Sequence, residues 1–161
     1  MSKKKGVVSS FVLTILFFLG VLSVLFFNQC TAAGMLNEET VTLFALIGAV
    51  IDEGEGGLLV LAFVVLLITF LVRFILFLIL ALAKCNIIKK ESFDEKLVKI
   101  LNIVDTICFV IDDVAILYIF FYYVIGGNPI FTVYGLPIDA FYFGISMAAY
   151  LITRKMAKQI A

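Results

Sequence analysis

Apolar residues fill four long runs of this chain, and polar segments separate them. The runs cover Val7–Phe27, Gly57–Ala83, Lys99–Ile125 and Pro137–Thr153. About 20 apolar residues in a helix cross the hydrocarbon core of a bilayer. The pattern therefore predicts four membrane-spanning helices packed as one all-α, polytopic membrane four-helix bundle. The segment between the first two runs, Asn28–Gly56, contains a shorter apolar stretch, Thr40–Ile51, flanked by Asn37-Glu38-Glu39 and Asp52-Glu53-Gly54. This stretch is too short to span, so a short interfacial or re-entrant helix is expected there. Asn37 or Thr40 would cap it, and Glu38 and Glu39 suit the positive end of a helix. Gly54, Gly56 and Gly57 supply a flexible joint into the second run. In the Lys84–Val98 loop, Ser92 and Glu95 have capping-box spacing, which predicts that the third helix begins ahead of its apolar run. Pro129 suits a turn and Pro137 a helix start. No internal repeat or low-complexity tract is seen, and one domain accounts for the whole pattern.

Composition agrees with the pattern. Of the 161 residues, 64% are hydrophobic, and the mean hydropathy is +1.21. Ordinary globular domains are about 45–50% apolar, and a soluble domain of this size cannot bury the excess. The formal net charge is zero, but the charges are segregated. Lys3, Lys4 and Lys5 precede the first run, and Lys84, Lys89, Lys90, Lys96 and Lys99 lie between the second and third. Arg154, Lys155 and Lys158 follow the fourth. Apart from Arg73, every basic residue thus falls on one side, which the positive-inside rule makes cytoplasmic, together with both termini. The opposite side receives Asn28–Gly56, with Glu38, Glu39, Asp52, Glu53 and Glu55, and the uncharged turn Gly126–Leu136. Lys3-Lys4-Lys5 before an apolar run resembles a signal peptide. The run exceeds the roughly 7–15 residues of such a core and no clean cleavage site follows, so an uncleaved first span is expected.

Several classes of chemistry find no support in the residues. Histidine is absent, which removes the commonest metal ligand and neutral-pH proton shuttle. Cys30, Cys85 and Cys108 are widely spaced, form no CxxC pair and fall in three different compartments of the predicted topology. Neither a zinc site, a redox site nor an intrachain disulfide is expected. The few lysines lie at segment ends and give no nucleic-acid signature. No nucleophile–base pair, phosphate loop or cofactor motif is present, so no catalytic residue, cofactor or metal is assigned, and the chain reads as a non-enzyme. Tyr118, Tyr122 and Tyr123 are expected as interfacial anchors, Asp139 as a charge at a helix N-terminus, and Gly144, Ser146, Ala148 and Ala149 as a closely packing face.

The chemistry-bearing feature is a set of charges inside the apolar runs. Arg73 is the only charge between Gly57 and Ala83. A guanidinium in hydrocarbon costs about 2.5–3.5 kcal/mol on insertion scales, so it needs a partner in protein or water. Asp105, Asp112 and Asp113 interrupt the next run. Arg73 lies about 5 Å to the cytoplasmic side of its run's midpoint, while Asp112 and Asp113 lie at the midpoint of theirs and Asp105 about 10 Å nearer the cytoplasm. Arg73 therefore sits between these levels and can reach either. Asp105 and Asp112 share one helix face, Asp113 lies about 100° round, and Asn102 and Thr106 extend the polar stripe. One arginine cannot neutralise three aspartates, so one of Asp112 and Asp113 is expected to hold a proton at rest. Two readings follow: a structural bridge that fixes helix register, or a polar track for protons or lipid headgroups.

The order of these features resembles the transmembrane module of the paraquat-inducible protein A family. The apolar stretch Thr40–Ile51, the span with Arg73, the basic loop and Ile111-Asp112-Asp113-Val114-Ala115-Ile116-Leu117 carry the resemblance, over roughly Thr40–Met156. Arg73 would match the family's basic position, and Asp113-Val114 its Asp-Val motif. The chain has one such module where many members have two. It lacks their cytoplasmic zinc ribbon, the tryptophan before Asp-Val, and the proline before the basic residue. The resemblance implies a bacterial inner-membrane component of a lipid-trafficking system. It would load or unload phospholipid for a periplasmic MCE-domain partner, as a homo- or hetero-oligomer or alone. Set against it are a non-transporting four-span scaffold of a larger complex and a holin-like pore former. The absence of a wide polar helix face argues against a large pore.

Overall fold

The computed structural model of the chain describes residues 3–26, 30–31, 40–41, 47–48, 57–85, 93–125 and 136–160. Four long helices carry the architecture: α1 (Lys3–Phe26), α2 (Gly57–Lys84), α3 (Phe93–Ile125) and α4 (Leu136–Ile160). The all-α four-helix bundle expected from the apolar runs forms. Between α1 and α2 lies a two-residue antiparallel ladder, β1 (Cys30–Thr31) against β2 (Thr40–Val41), with Cys30 opposite Val41 and Thr31 opposite Thr40. The short helix expected over Thr40–Ile51 does not begin where predicted. Thr40 and Val41 pair as strand, where β-branched side chains fit an extended backbone. Ile47 and Gly48 are helical, and the rest of that stretch lies outside the described residues.

The helix ends follow local chemistry. α2 closes with Lys84 in its last turn, a favourable charge at the negative end, and the Cys85 N–H donates to the Ala81 carbonyl at 3.0 Å. α3 starts at Phe93, six residues ahead of its apolar run. α4 carries Asp139 in its first turn and Lys158 in its last, both matched to the dipole.

α1 packs on α2, α2 on α3 and α3 on α4, and a lighter α1–α4 contact completes the ring. Neighbours run antiparallel, as their paired contacts below show. Aromatic rings fill the centre: Phe17 meets Phe70 edge-on at 5.5 Å and stacks on Phe77 at 5.7 Å, and Phe70 meets Tyr142 at 5.3 Å. Offset and edge contacts of this kind add to the area that rings bury. Gly20 on α1 is what lets Phe70 in. A Cβ there would lie 2.8 Å from Phe70 Cδ2 and 3.2 Å from Ile145 Cδ1, closer than van der Waals contact allows. Small residues at helix crossings serve this purpose in membranes. On the face expected from the sequence, Ser146 and Ala149 are buried, but Gly144 is exposed and a Cβ there would meet nothing.

The outside is as apolar as the inside. Val12, Ile15, Leu61, Ile68, Ile75, Ile103, Val110, Val114, Phe143 and Leu151 all point outward. A water-soluble protein rarely exposes so large a continuous apolar surface. Among the described residues three segments are long and apolar enough to cross a membrane: Val7–Leu25, Gly57–Lys84 and Leu136–Gln159. This is an integral membrane protein. α3 is not among the three; its 33 residues rise about 50 Å, but Asp105, Asp112 and Asp113 interrupt them. Cys85 is a free thiol at the surface and Cys108 a free thiol inside.

Candidate functional site: a buried arginine–aspartate cluster

The largest fully buried side chain of the core is Arg73, with no exposure at all. It projects from the middle of α2 toward the face of α3 that carries Asp105 and Asp112. Those two aspartates are seven residues apart, so a two-turn rise puts both on one stripe, and neither is exposed. The guanidinium bridges them. Its NH1 donates to Asp112 Oδ2 at 2.6 Å, and its NH2 donates to the Asp105 backbone carbonyl at 2.9 Å. Nε stands 2.8 Å from Asp105 Oδ1, at ion-pair distance but off the line of a hydrogen bond, so this contact is Coulombic rather than directional. The Phe17 ring lies 5.3 Å from Cζ, close enough for its π face to attract the cation.

Three hydroxyls, one from α2 and two from α4, complete the shell. Ser146 on α4 accepts from Arg73 NH1 at 2.7 Å and donates to Asp112 Oδ2 at 2.9 Å, and so bridges the two charges. Thr69, one turn before Arg73, stands 2.5 Å from Asp112 Oδ1 and 3.0 Å from the Leu66 carbonyl. It has one proton to give, and the carboxylate is the stronger acceptor. Thr153, seven residues after Ser146, stands 2.8 Å from Asp105 Oδ2. The Thr69–Asp112 and Arg73–Asp105 contacts fix α2 and α3 antiparallel, and Ser146–Asp112 and Thr153–Asp105 do the same for α3 and α4. The cluster therefore ties three helices at two levels. A buried charge pair repays its desolvation only with this kind of geometry and auxiliary hydrogen bonding.

Not every polar residue expected in the stripe joins it. Asp113 lies on the flank of α3, half-buried, and among the described residues makes no ion pair with Arg73, although it is near enough to feel that charge; its Oδ1 is shielded and has no hydrogen-bond partner among the described residues. Asn102 is half-buried on the same flank, and its Oδ1 has no hydrogen-bond partner among the described residues. Thr106 does not support the cluster. It is exposed, and its hydroxyl turns back to the Asn102 carbonyl at 2.7 Å, because it lies about 100° round the helix from Asp105. Of the tyrosines expected as interfacial anchors, Tyr122 is exposed but Tyr123 is buried. Thr69, Ser146 and Thr153 are the members that sequence reasoning missed as such. Their signal was spacing: Thr69 is one turn from Arg73, and Ser146 and Thr153 repeat the seven-residue interval of Asp105 and Asp112.

The arrangement has one cation against two carboxyls, with a third carboxyl on the flank. It can fix helix register, and it can exchange a proton or a cation to balance its charge. Among the described residues no three His, Cys, Asp or Glu side chains converge as metal ligands. Comparison with known proteins adds nothing to this geometry: no family model, no curated protein and no solved structure matches the chain.

Proposed function

We propose that this protein is an inner-membrane component of a lipid-trafficking system, with four spans and both termini cytoplasmic. It loads or unloads phospholipid for a periplasmic MCE-type partner. In this reading α3 is the fourth span, because α2 and α4 surround Asp105 and Asp112 while Ile103, Ile107, Val110, Val114 and Leu117 point outward. The observation that carries the proposal is the charge balance at mid-depth. Arg73 forms its ion pairs with Asp105 and Asp112, and the flanking Asp113 carboxyl forms none, with an Oδ1 that has no hydrogen-bond partner among the described residues. Intramembrane carboxyls of this kind mark proton relays and substrate paths. Movement of protons through Asp113 would couple lipid movement to an energy source. The resemblance to the paraquat-inducible protein A module supplies the partner class.

A specific observation also favours the scaffold reading. Arg73 is wholly enclosed and bonded to both α3 and α4, as suits a pin that holds three helices. Affinity purification of the tagged protein in mild detergent, with identification of co-purifying proteins and lipids, separates the two. Lipid trafficking requires an MCE-domain protein and enriched phospholipid in the eluate, with loss of function but normal accumulation for Asp113→Asn. Neither partner nor lipid, and a fully active Asp113→Asn, would leave the scaffold.

A further inference from the structure

α1 and α4 touch at one end of the bundle and part at the other. They meet where Gly20 lies against Ile145 and where the Ser23 and Tyr142 hydroxyls bond at 2.9 Å. Toward the start of α1 and the end of α4 they diverge. A groove of about 460 Å³ opens between them, walled by Val8, Val12, Leu13 and Leu16 on one side and Ala148 and Ile152 on the other. Its lining is apolar apart from Ser9. The α4 wall continues beyond the groove. Ala148, Ile152, Lys155 and Gln159 follow one another at intervals of four, three and four residues, which is a single helix face. Lys155 and Gln159 are both exposed. An apolar slot thus runs into an ammonium and an amide where α4 leaves the hydrocarbon.

We propose that this groove holds one acyl chain of an anionic phospholipid from the cytoplasmic leaflet, with its headgroup met by Lys155 and Gln159. The inference rests on the orientation and lipid-handling role proposed above, and it names their ligand class. Three features argue for this occupant. The groove is closed at its deep end by the Gly20 and Ser23 contacts, which gives a chain a terminus rather than a through-path. Its walls offer an acyl chain contact with almost no polar surface to desolvate. A lysine beside an anionic leaflet gains about 1 kcal/mol from the surface potential and nothing from a neutral headgroup. The floor residue Leu13 is one turn from Phe17, which covers Arg73, so an occupant would lie one side-chain layer from the ion cluster.

The test uses the full chain reconstituted with phosphatidylglycerol or phosphatidylcholine and released into native mass spectrometry. Wild type should carry one retained phosphatidylglycerol. Val12→Trp and Ala148→Phe fill the groove from opposite walls, and each should lose that lipid; Val12 is 48% exposed, so its replacement leaves the core alone. Lys155→Gln should keep a lipid but lower the preference for phosphatidylglycerol about fivefold. Unchanged lipid retention in both filled variants would overturn the proposal. So would a dimer in wild type that either filled variant abolishes, because the groove would then seat a second copy. Partner capture reads the trafficking role separately. Groove-dependent lipid without an MCE partner would sink that role and keep the groove, whereas partner capture with groove-independent lipid would do the reverse.

Discussion

Replacing Arg73 with methionine removes the one cation that the core of this bundle is built around. The change deletes ion pairs at 2.8 Å to Asp105 and 2.6 Å to Asp112, together with donors to Ser146 and to the Asp105 carbonyl. Two scales bear on the cost. Interhelical hydrogen bonds in membranes average about 0.6 kcal/mol and reach about 1.7. Stripping one partner from a buried ion pair costs about 3–5 kcal/mol, because the remaining charge stays enclosed. The second scale should govern, since both aspartates are without exposure and no other cation reaches them among the described residues. At about 2–4 °C per kcal/mol for a protein of this size, the melting temperature should fall by about 6–20 °C. Cys108 offers the probe. It is buried on the same face of α3 as the aspartates, so in a Cys30→Ser, Cys85→Ser background a thiol-reactive dye reports opening of the bundle. A melting temperature within 1–2 °C of the parent, less than about 1 kcal/mol on that scale, would refute the role assigned to Arg73.

Three further outcomes follow from the same contacts. The combined variant Arg73→Met, Asp105→Leu, Asp112→Leu should recover most of the stability lost by Arg73→Met alone, because no unpaired charge is left inside; the same dye melt measures it. Ser146→Ala and Thr153→Val should each cost about 1 kcal/mol, within the range for membrane hydrogen bonds, and Thr106→Val should cost nothing measurable, since Thr106 is exposed and bonds its own helix. Gly20→Leu should destabilise by about 1–3 kcal/mol through overpacking against Phe70, whereas Gly144→Leu, on an open face, should be neutral in detergent.

The helices were legible because length and apolar content set them, and neither depends on the partner. The early start of α3 at Phe93 was legible from the Ser92–Glu95 spacing, whereas the end of α4 at Ile160 lies beyond its apolar run because polar turns extend the helix. The contact of Arg73 with Asp105 and Asp112 was legible as depth and face. Which of Asp112 and Asp113 turns inward was not. That choice is made by the rotation of all of α3, which buries Leu101, Cys108, Ile116 and Ile119 on the Asp112 side. Ser146 read as a packing residue because a hydroxyl in a small-residue face looks the same whether it fills space or bridges two charges. The pairing of Thr40–Val41 with Cys30–Thr31 joins residues well separated in the sequence, and an apolar stretch alone does not say whether it will find a strand partner.

Everything above depends on α3 crossing the membrane with its aspartates at mid-depth, although it carries more charged residues than any of the other three helices. The direct measurement is labelling of single cysteines by a membrane-impermeant maleimide in a chain otherwise free of cysteine. Lys99→Cys and Ile125→Cys mark the two ends of the apolar run of α3, and both positions are exposed. The account predicts that Ile125→Cys labels in intact cells and that Lys99→Cys labels only after the membrane is opened. Labelling of both from the same side would place α3 outside the bilayer and contradict the four-span bundle together with the intramembrane cluster.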